Sequence, residues 1–108
     1  MISNHIAVYI PGTTGSKILP KKNQDAIAAR AAKLFSKRFG GCTRIPAIGS
    51  WVDDSGQLIS EKIIIVKSFY SCDSTIAYTT AARIARAVKS MLFQQAVSIE
   101  SNEGIDFI

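Results

Sequence analysis

The sequence predicts one α+β domain of the ferredoxin-like β-α-β-β-α-β type, an antiparallel sheet with two helices on one face. Three observations lead there. A chain of 108 residues with 47% apolar content has room for one core and no second domain. Period-two and helical apolar patterns alternate along it in the order strand, helix, hairpin, helix, strand. Right-handed crossovers then put both helices on the same side of the sheet.

The first strand is read from Ser3 to Ile10, where Ile6, Val8 and Ile10 alternate with His5, Ala7 and Tyr9. Pro11-Gly12 stops it. The stretch from Thr13 to Lys22 is rich in breakers and reads as a mobile, basic loop. The resemblance to a P-loop is poor, because only two residues separate Gly12 from Gly15, the order is Ser16-Lys17, and Pro20 follows where a helix should begin; a flexible loop making backbone contacts to a ligand is the other functional reading.

Asn23 is the expected N-cap of a first helix over about Gln24 to Phe39, with Asp25 in its first turn. Ile27, Ala28, Ala31, Ala32, Phe35 and Phe39 form its apolar stripe, and Gly40-Gly41 ends it. Cys42–Val52 and Leu58–Phe69 follow as the arms of a hairpin around Asp53-Asp54-Ser55-Gly56. The second arm is apolar on both faces, Ile63 and Ile65 against Ile64 and Val66, as in a central strand covered on both sides, the second cover being another subunit. Asp73 or Ser74 caps a second helix with the stripe Ala77, Ala81, Ile84, Val88, Met91 and Leu92, reaching almost to Gln94. Ala96, Val97 and Ile99 make a short strand, and Ile105–Ile108 is expected as an extra C-terminal edge strand.

Composition narrows the function classes. No apolar run approaches the roughly 20 residues of a membrane span. The N-terminus lacks the pattern of a secretory signal, so a cytoplasmic location is expected. Cys42 and Cys72 are then expected as buried thiols. With one histidine and no C-x-x-C pair, neither a metal site nor a cofactor is expected. Asp53 and Asp54 read as turn residues facing water.

The net charge of +5 is uneven: residues up to Arg44 carry +7 and the remainder −2. Arg30, Lys33 and Lys37 recur on one helical face with Arg38 beside them, and Arg83 and Arg86 share a face near Lys89. Lys17, Lys21 and Lys22 extend this patch from the preceding loop. Such a field attracts phosphates or acidic surfaces. The plainer alternative is a solvated basic face.

Glu61 stands out in a strand of Ile and Val, across the hairpin from Ser50 and Trp51, where it pairs with Arg44, Lys62 or a hydroxyl, or acts as an acid or base beside the indole. Trp51 and Phe69-Tyr70 are candidates for stacking, though aromatics in sheets more often pack in a core or dimer. Tyr9 and His5 complete the pocket candidates.

At Phe39-Gly40-Gly41-Cys42-Thr43, then Gly49-Ser50-Trp51, Gly56 and Glu61, the chain resembles an uncharacterised group of small bacterial, plasmid and phage proteins. In these, a helix ends in Phe-Gly-Gly-x-Thr and a hairpin carries Gly-x-Trp and a later Glu. With Ile6-Ala7-Val8-Tyr9-Ile10-Pro11, the resemblance spans roughly residues 5 to 67. It implies a mobile-element origin, where short basic proteins bind host defence components or their nucleotide signals.

The leading expectation is therefore a non-enzymatic binding module, a homodimer or higher homo-oligomer, for a phosphate-bearing ligand: nucleic acid or a nucleotide signal. Two alternatives stay open. One is an inhibitor docking on an acidic host protein, and the other a small ferredoxin-like enzyme using His5, Tyr9 and Glu61.

Overall fold

The computed structural model describes residues 1–108. Its elements are β1 (Asn4–Ile10), β2 (Thr13–Thr14), β3 (Lys17–Ile18), α1 (Lys21–Phe39), β4 (Thr43–Val52), β5 (Leu58–Tyr70), α2 (Ser74–Met91), β6 (Ser98–Ser101) and β7 (Gly104–Phe107). The main sheet has the order β4-β5-β1-β6-β7, antiparallel throughout. Both helices lie on one face, α1 over β5 and α2 over β1 and β6. This is the ferredoxin-like arrangement with the expected edge strand added as β7. Neither helix is long and apolar enough to cross a membrane.

The core forms because β1, β5 and β6 turn one alternation toward the helices. Ile6, Val8 and Ile10 of β1 meet Ile64, Val66 and Tyr70 of β5, and the layer above is Ala28, Ala31 and Phe35 of α1 with Ala77, Ala81, Ile84, Ala85 and Val88 of α2. So many alanines let the helix backbones sit close to the sheet while Phe35 fills the space between. Burying a side chain of the size of Ile or Phe contributes about 1.5–3 kcal/mol.

Several boundaries and environments differ from the expectation. The segment after β1 is not an irregular loop: β2 and β3 pair as a small hairpin, Gly15 N–H donates to the Leu92 carbonyl (2.8 Å), and Leu19 is buried. Helix α1 starts three residues earlier, with Pro20 rather than Asn23 at the N-cap and no side-chain cap. Proline carries the fixed φ that the entry to a helix tolerates, whereas the capping preference of Asn23 is local and was outweighed. Asp25 therefore sits on the second turn, in an exposed pair with Lys21 (2.7 Å). Gly40 does end α1, at φ 90°, with its N–H on the Ser36 carbonyl. Asp73 caps α2 through Thr75 N–H (2.7 Å), as expected, but the helix stops at Met91 and Met91 itself is exposed. Cys42 is half-buried, which pushes its thiol pKa up, whereas Cys72 is exposed rather than buried. No element of this chain covers the second face of the sheet, where Ile63 and Ile65 are half-buried and Ile45, Phe69, Ile105 and Phe107 are exposed.

Candidate active site

Three segments converge at the end of β1: the β2–β3 hairpin, the first turn of α1, and the long β4–β5 hairpin. Between them lies a cleft of about 1010 Å³, walled by Leu19, Pro20, Ile48, Ile59 and Ile64 and carrying Thr13, Lys21, Gln24, Trp51 and Glu61. Such a volume is at the upper end for small-molecule sites, and an apolar wall with a few placed polar groups is their usual composition.

Gly12 organises the polar side of this cleft. Its N–H donates to Glu61 Oε2 (2.7 Å), and the Thr13 hydroxyl donates to the same oxygen (3.2 Å). A Cβ at Gly12 would lie 2.0 Å from the Lys62 carbonyl oxygen, so only glycine allows β1 and β5 to run this close. Glu61 is thus held by backbone and hydroxyl donors, not by Arg44 or Lys62, and its Oε1 has no protein partner. Gln24, which is buried and lines the cleft, donates through Nε2 to the carbonyls of Ile10 (3.3 Å), Pro11 (3.1 Å) and Lys62 (3.0 Å). Gln94, outside the cleft, donates through Nε2 to the Thr13 carbonyl (2.9 Å) and so ties β2 to the segment after α2. Register places Trp51 opposite Ile59 and Glu61 opposite Gly49, on one side of the twisted hairpin, with the indole half exposed at the cleft edge.

Tyr9 does not line the cleft. It belongs to a separate cluster on the open sheet face, where its hydroxyl donates to Glu100 Oε1 (2.6 Å) and His5 Nε2 lies 3.0 Å from Glu100 Oε2. The hydrogen bond to the Glu100 carboxylate, helped by burial, pushes the Tyr9 pKa up to about 12. The same bond, with His5 and Lys67 nearby, holds Glu100 below its ordinary value. The enzyme alternative thus named residues that the fold separates: Glu61 in the cleft, His5 and Tyr9 outside it.

The basic candidates divide likewise. Lys37, Arg38 and Arg83 meet at a groove of about 690 Å³ between α1 and α2, lined also by Thr75, Thr79 and Thr80. Arg30, Lys33 and Arg86 are exposed elsewhere on the helices, and Lys89 is half-buried. Lys17 lies on β3, and Lys21 and Lys22 open α1 rather than sitting in a loop; of the three, only Lys21 reaches the cleft. Asp53, far from all of these, accepts from Ser55 N–H (2.9 Å), Ser55 Oγ (2.6 Å) and Gln57 N–H (3.0 Å), which orders the hairpin turn and lowers its pKa.

Gln24, Gly12 and Glu100 escaped the sequence reading. Gln24 was hidden in an expected helix start, and Glu100 is far from β1 in sequence. A polar residue in the α1 stripe, at the i−4 position from Ala28, was the one local signal for Gln24.

No family model matches the sequence, and no curated protein matches it either. Solved structures do match the fold. A phage SAM lyase in complex with S-methyl-5'-thioadenosine superposes with a TM-score of 0.74 at 10% identity, over 97% of this chain and 88% of that one. A phage SAM lyase in the apo state gives 0.73 at 11% identity, over 98% and 88%. The expectation of a non-enzymatic module for nucleic acid or a nucleotide signal is corrected by this finding: both of these structures, which share the fold over 97% and 98% of this chain, are of an enzyme. The correction has a physical counterpart in the chain itself, where the larger concavity and the immobilised polar groups lie beside Glu61 and not on the basic helix surface.

Proposed function

We propose that this chain is an enzyme that cleaves S-adenosylmethionine in the cleft beside Glu61, releasing S-methyl-5'-thioadenosine. The observation that carries the reading is the immobilised Glu61 carboxylate, fixed by Gly12 N–H and the Thr13 hydroxyl in a cleft roomy enough for a nucleoside with its side chain, on this fold.

Chemistry constrains what such a site must do. The product keeps the methyl and adenosyl groups of the sulfonium, so the bond that breaks joins sulfur to the amino-acid side chain. Its electron pair passes to sulfur, and the positive charge disappears. In a lyase reaction no water is consumed, and one step that balances is attack of the substrate's own carboxylate oxygen on that carbon, the new C–O bond closing a five-membered lactone as the C–S bond breaks. A protein carboxylate in contact with the sulfonium would stabilise the reactant more than the transition state, in which that charge is being lost. We therefore assign Glu61 to the ligand's own donors, the ribose hydroxyls or the α-ammonium, which its free Oε1 can hold without touching sulfur. Trp51 offers the apolar face against which the ligand packs. Positioning is then the main contribution: the substrate is folded so that its carboxylate and the breaking bond are aligned.

The test is incubation of the purified protein with S-adenosylmethionine and separation of the products. S-methyl-5'-thioadenosine should accumulate as substrate disappears. Glu61→Gln should lower turnover about 10- to 100-fold, the worth of one charge-assisted hydrogen bond. Trp51→Ala should weaken binding about 10-fold. An unchanged pool of S-adenosylmethionine would sink the proposal.

A further inference from the structure

We infer that Gln24 is the residue that reads the base of the ligand, accepting a hydrogen bond from the amino group of adenine. The inference rests on the adenosyl reading above and adds the group that would distinguish adenine from other bases.

The argument begins with how the side-chain amide is held. Gln24 is 6% exposed, so its polar atoms are almost wholly enclosed by protein. Its Nε2 lies within 3.0–3.3 Å of three main-chain carbonyl oxygens, those of Ile10, Pro11 and Lys62. Only an NH2 group can face three acceptors; turning the amide over would set oxygen against oxygen. Its orientation is thereby determined, and Oε1 must point the other way. No protein group donates to Oε1, yet the structure contains no buried side-chain oxygen or nitrogen without a partner. Oε1 is therefore not sealed off, and the cleft is the space that Gln24 lines.

A neutral acceptor in a fixed direction selects a donor. An ammonium group would be better served by Glu61, whose free oxygen carries charge and borders the same cleft. What suits Gln24 is an uncharged amine on a flat, apolar body, because the neighbouring walls are Leu19, Pro20, Ile48 and Ile64. Adenine has that form: two apolar faces and an N–H donor at one edge. Three carbonyls crowd around Nε2, so rotating the amide to accommodate an acceptor on the ligand would break all of their bonds at once. The device thus discriminates as well as binds.

Binding of S-methyl-5'-thioadenosine and of its 6-deamino purine counterpart, in which the amino group is replaced by hydrogen, should be compared by calorimetry on the unmodified protein. The adenine ligand should bind about 10-fold more tightly, since without the amino group Oε1 is left with no donor. Gln24→Met keeps the length of the side chain and removes the acceptor, and it should bring the two affinities to within about threefold of each other. This ratio is insensitive to partial unfolding, which lowers both affinities equally. Equal binding of the two ligands to the unmodified protein would overturn the role of Gln24 while leaving the adenosyl reading standing. A preference retained in Gln24→Met would assign the discrimination to another residue and overturn it as well. Failure of both ligands to bind would remove the adenosyl reading and this inference together.

Discussion

The cleft beside Glu61 and the groove between the helices are both concave and both carry charge, but they hold their polar groups in opposite ways. In the cleft, Glu61 is tied to Gly12 and Thr13, and Gln24 to three carbonyls, so each polar group has one direction before a ligand arrives. In the groove, Lys37, Arg38 and Arg83 stand on exposed stems and none is in an ion pair. The first arrangement positions a ligand; the second contributes a field that water and salt screen. The number of charges on a surface is therefore a weaker guide to a site than the number of polar atoms whose orientation the fold has already decided.

The largest effect expected from breaking this contrast is at Gly12. Gly12→Ala drives a Cβ to 2.0 Å from the Lys62 carbonyl, a backbone atom that cannot swing aside, so β1 and β5 must separate where Glu61 and Gln24 are anchored. A loss of about 3 kcal/mol or more is expected, together with loss of ligand binding. Gly15→Ala is the control: its Cβ meets open space and only the positive φ of 59° opposes it, for a cost of about 1 kcal/mol. Thermal or denaturant unfolding of the two variants, side by side, measures the difference.

An intermediate effect is expected at the His5–Tyr9–Glu100 cluster, which shares the directed bonding of the cleft without being part of it. Tyr9→Phe should cost about 1–2 kcal/mol, the worth of a hydrogen bond to a carboxylate, and leave ligand affinity unchanged. Its pH dependence has a definite sign. Because the Tyr9 pKa is raised from 10.0 to about 12, its contribution is complete below pH 10 and is lost as pH rises between those two values. Glu100 works in the opposite direction: its lowered pKa contributes stability above the ordinary value of 4.5, which is lost as pH falls below it. Urea unfolding from pH 8 to 12 should show an alkaline decline that Tyr9→Phe flattens.

The smallest effect is expected in the groove. The pair Lys37→Glu and Arg83→Glu should change stability by no more than about 0.5 kcal/mol and leave turnover of S-adenosylmethionine unaltered. A large fall in turnover would show that the helix surface and the cleft are not separable, and would restore weight to the basic face.

Much of the fold was legible because it rests on local periodicity. The alternation Ile6, Val8, Ile10, the stripe Ala77, Ala81, Ile84, Val88 and the turn at Asp53–Gly56 each identify an element without reference to any other. The misreadings were also local in origin. Asn23 resembles a cap, yet the chain enters α1 at Pro20 because β2 and β3 deliver it there, with Leu19 buried. Of the site, Glu61 and Trp51 were visible as anomalies in an apolar hairpin. Gln24 was not, because its meaning depends on carbonyls of Ile10, Pro11 and Lys62, up to 38 positions away in sequence.

By itself, then, the sequence determined the number, kind and order of the main elements, and the uneven charge of the chain. These follow from residue spacing and turn chemistry, which act over a few residues. Only the tertiary structure decided that the charges spread over several surfaces while Gly12, Gln24 and Glu61 meet at one, and that Tyr9 joins Glu100 instead of Glu61. The physical reason is the crossing of chain segments: a hydrogen bond between β1 and β5, or between β1 and β6, depends on register and close approach, and neither is written in the neighbours of a residue.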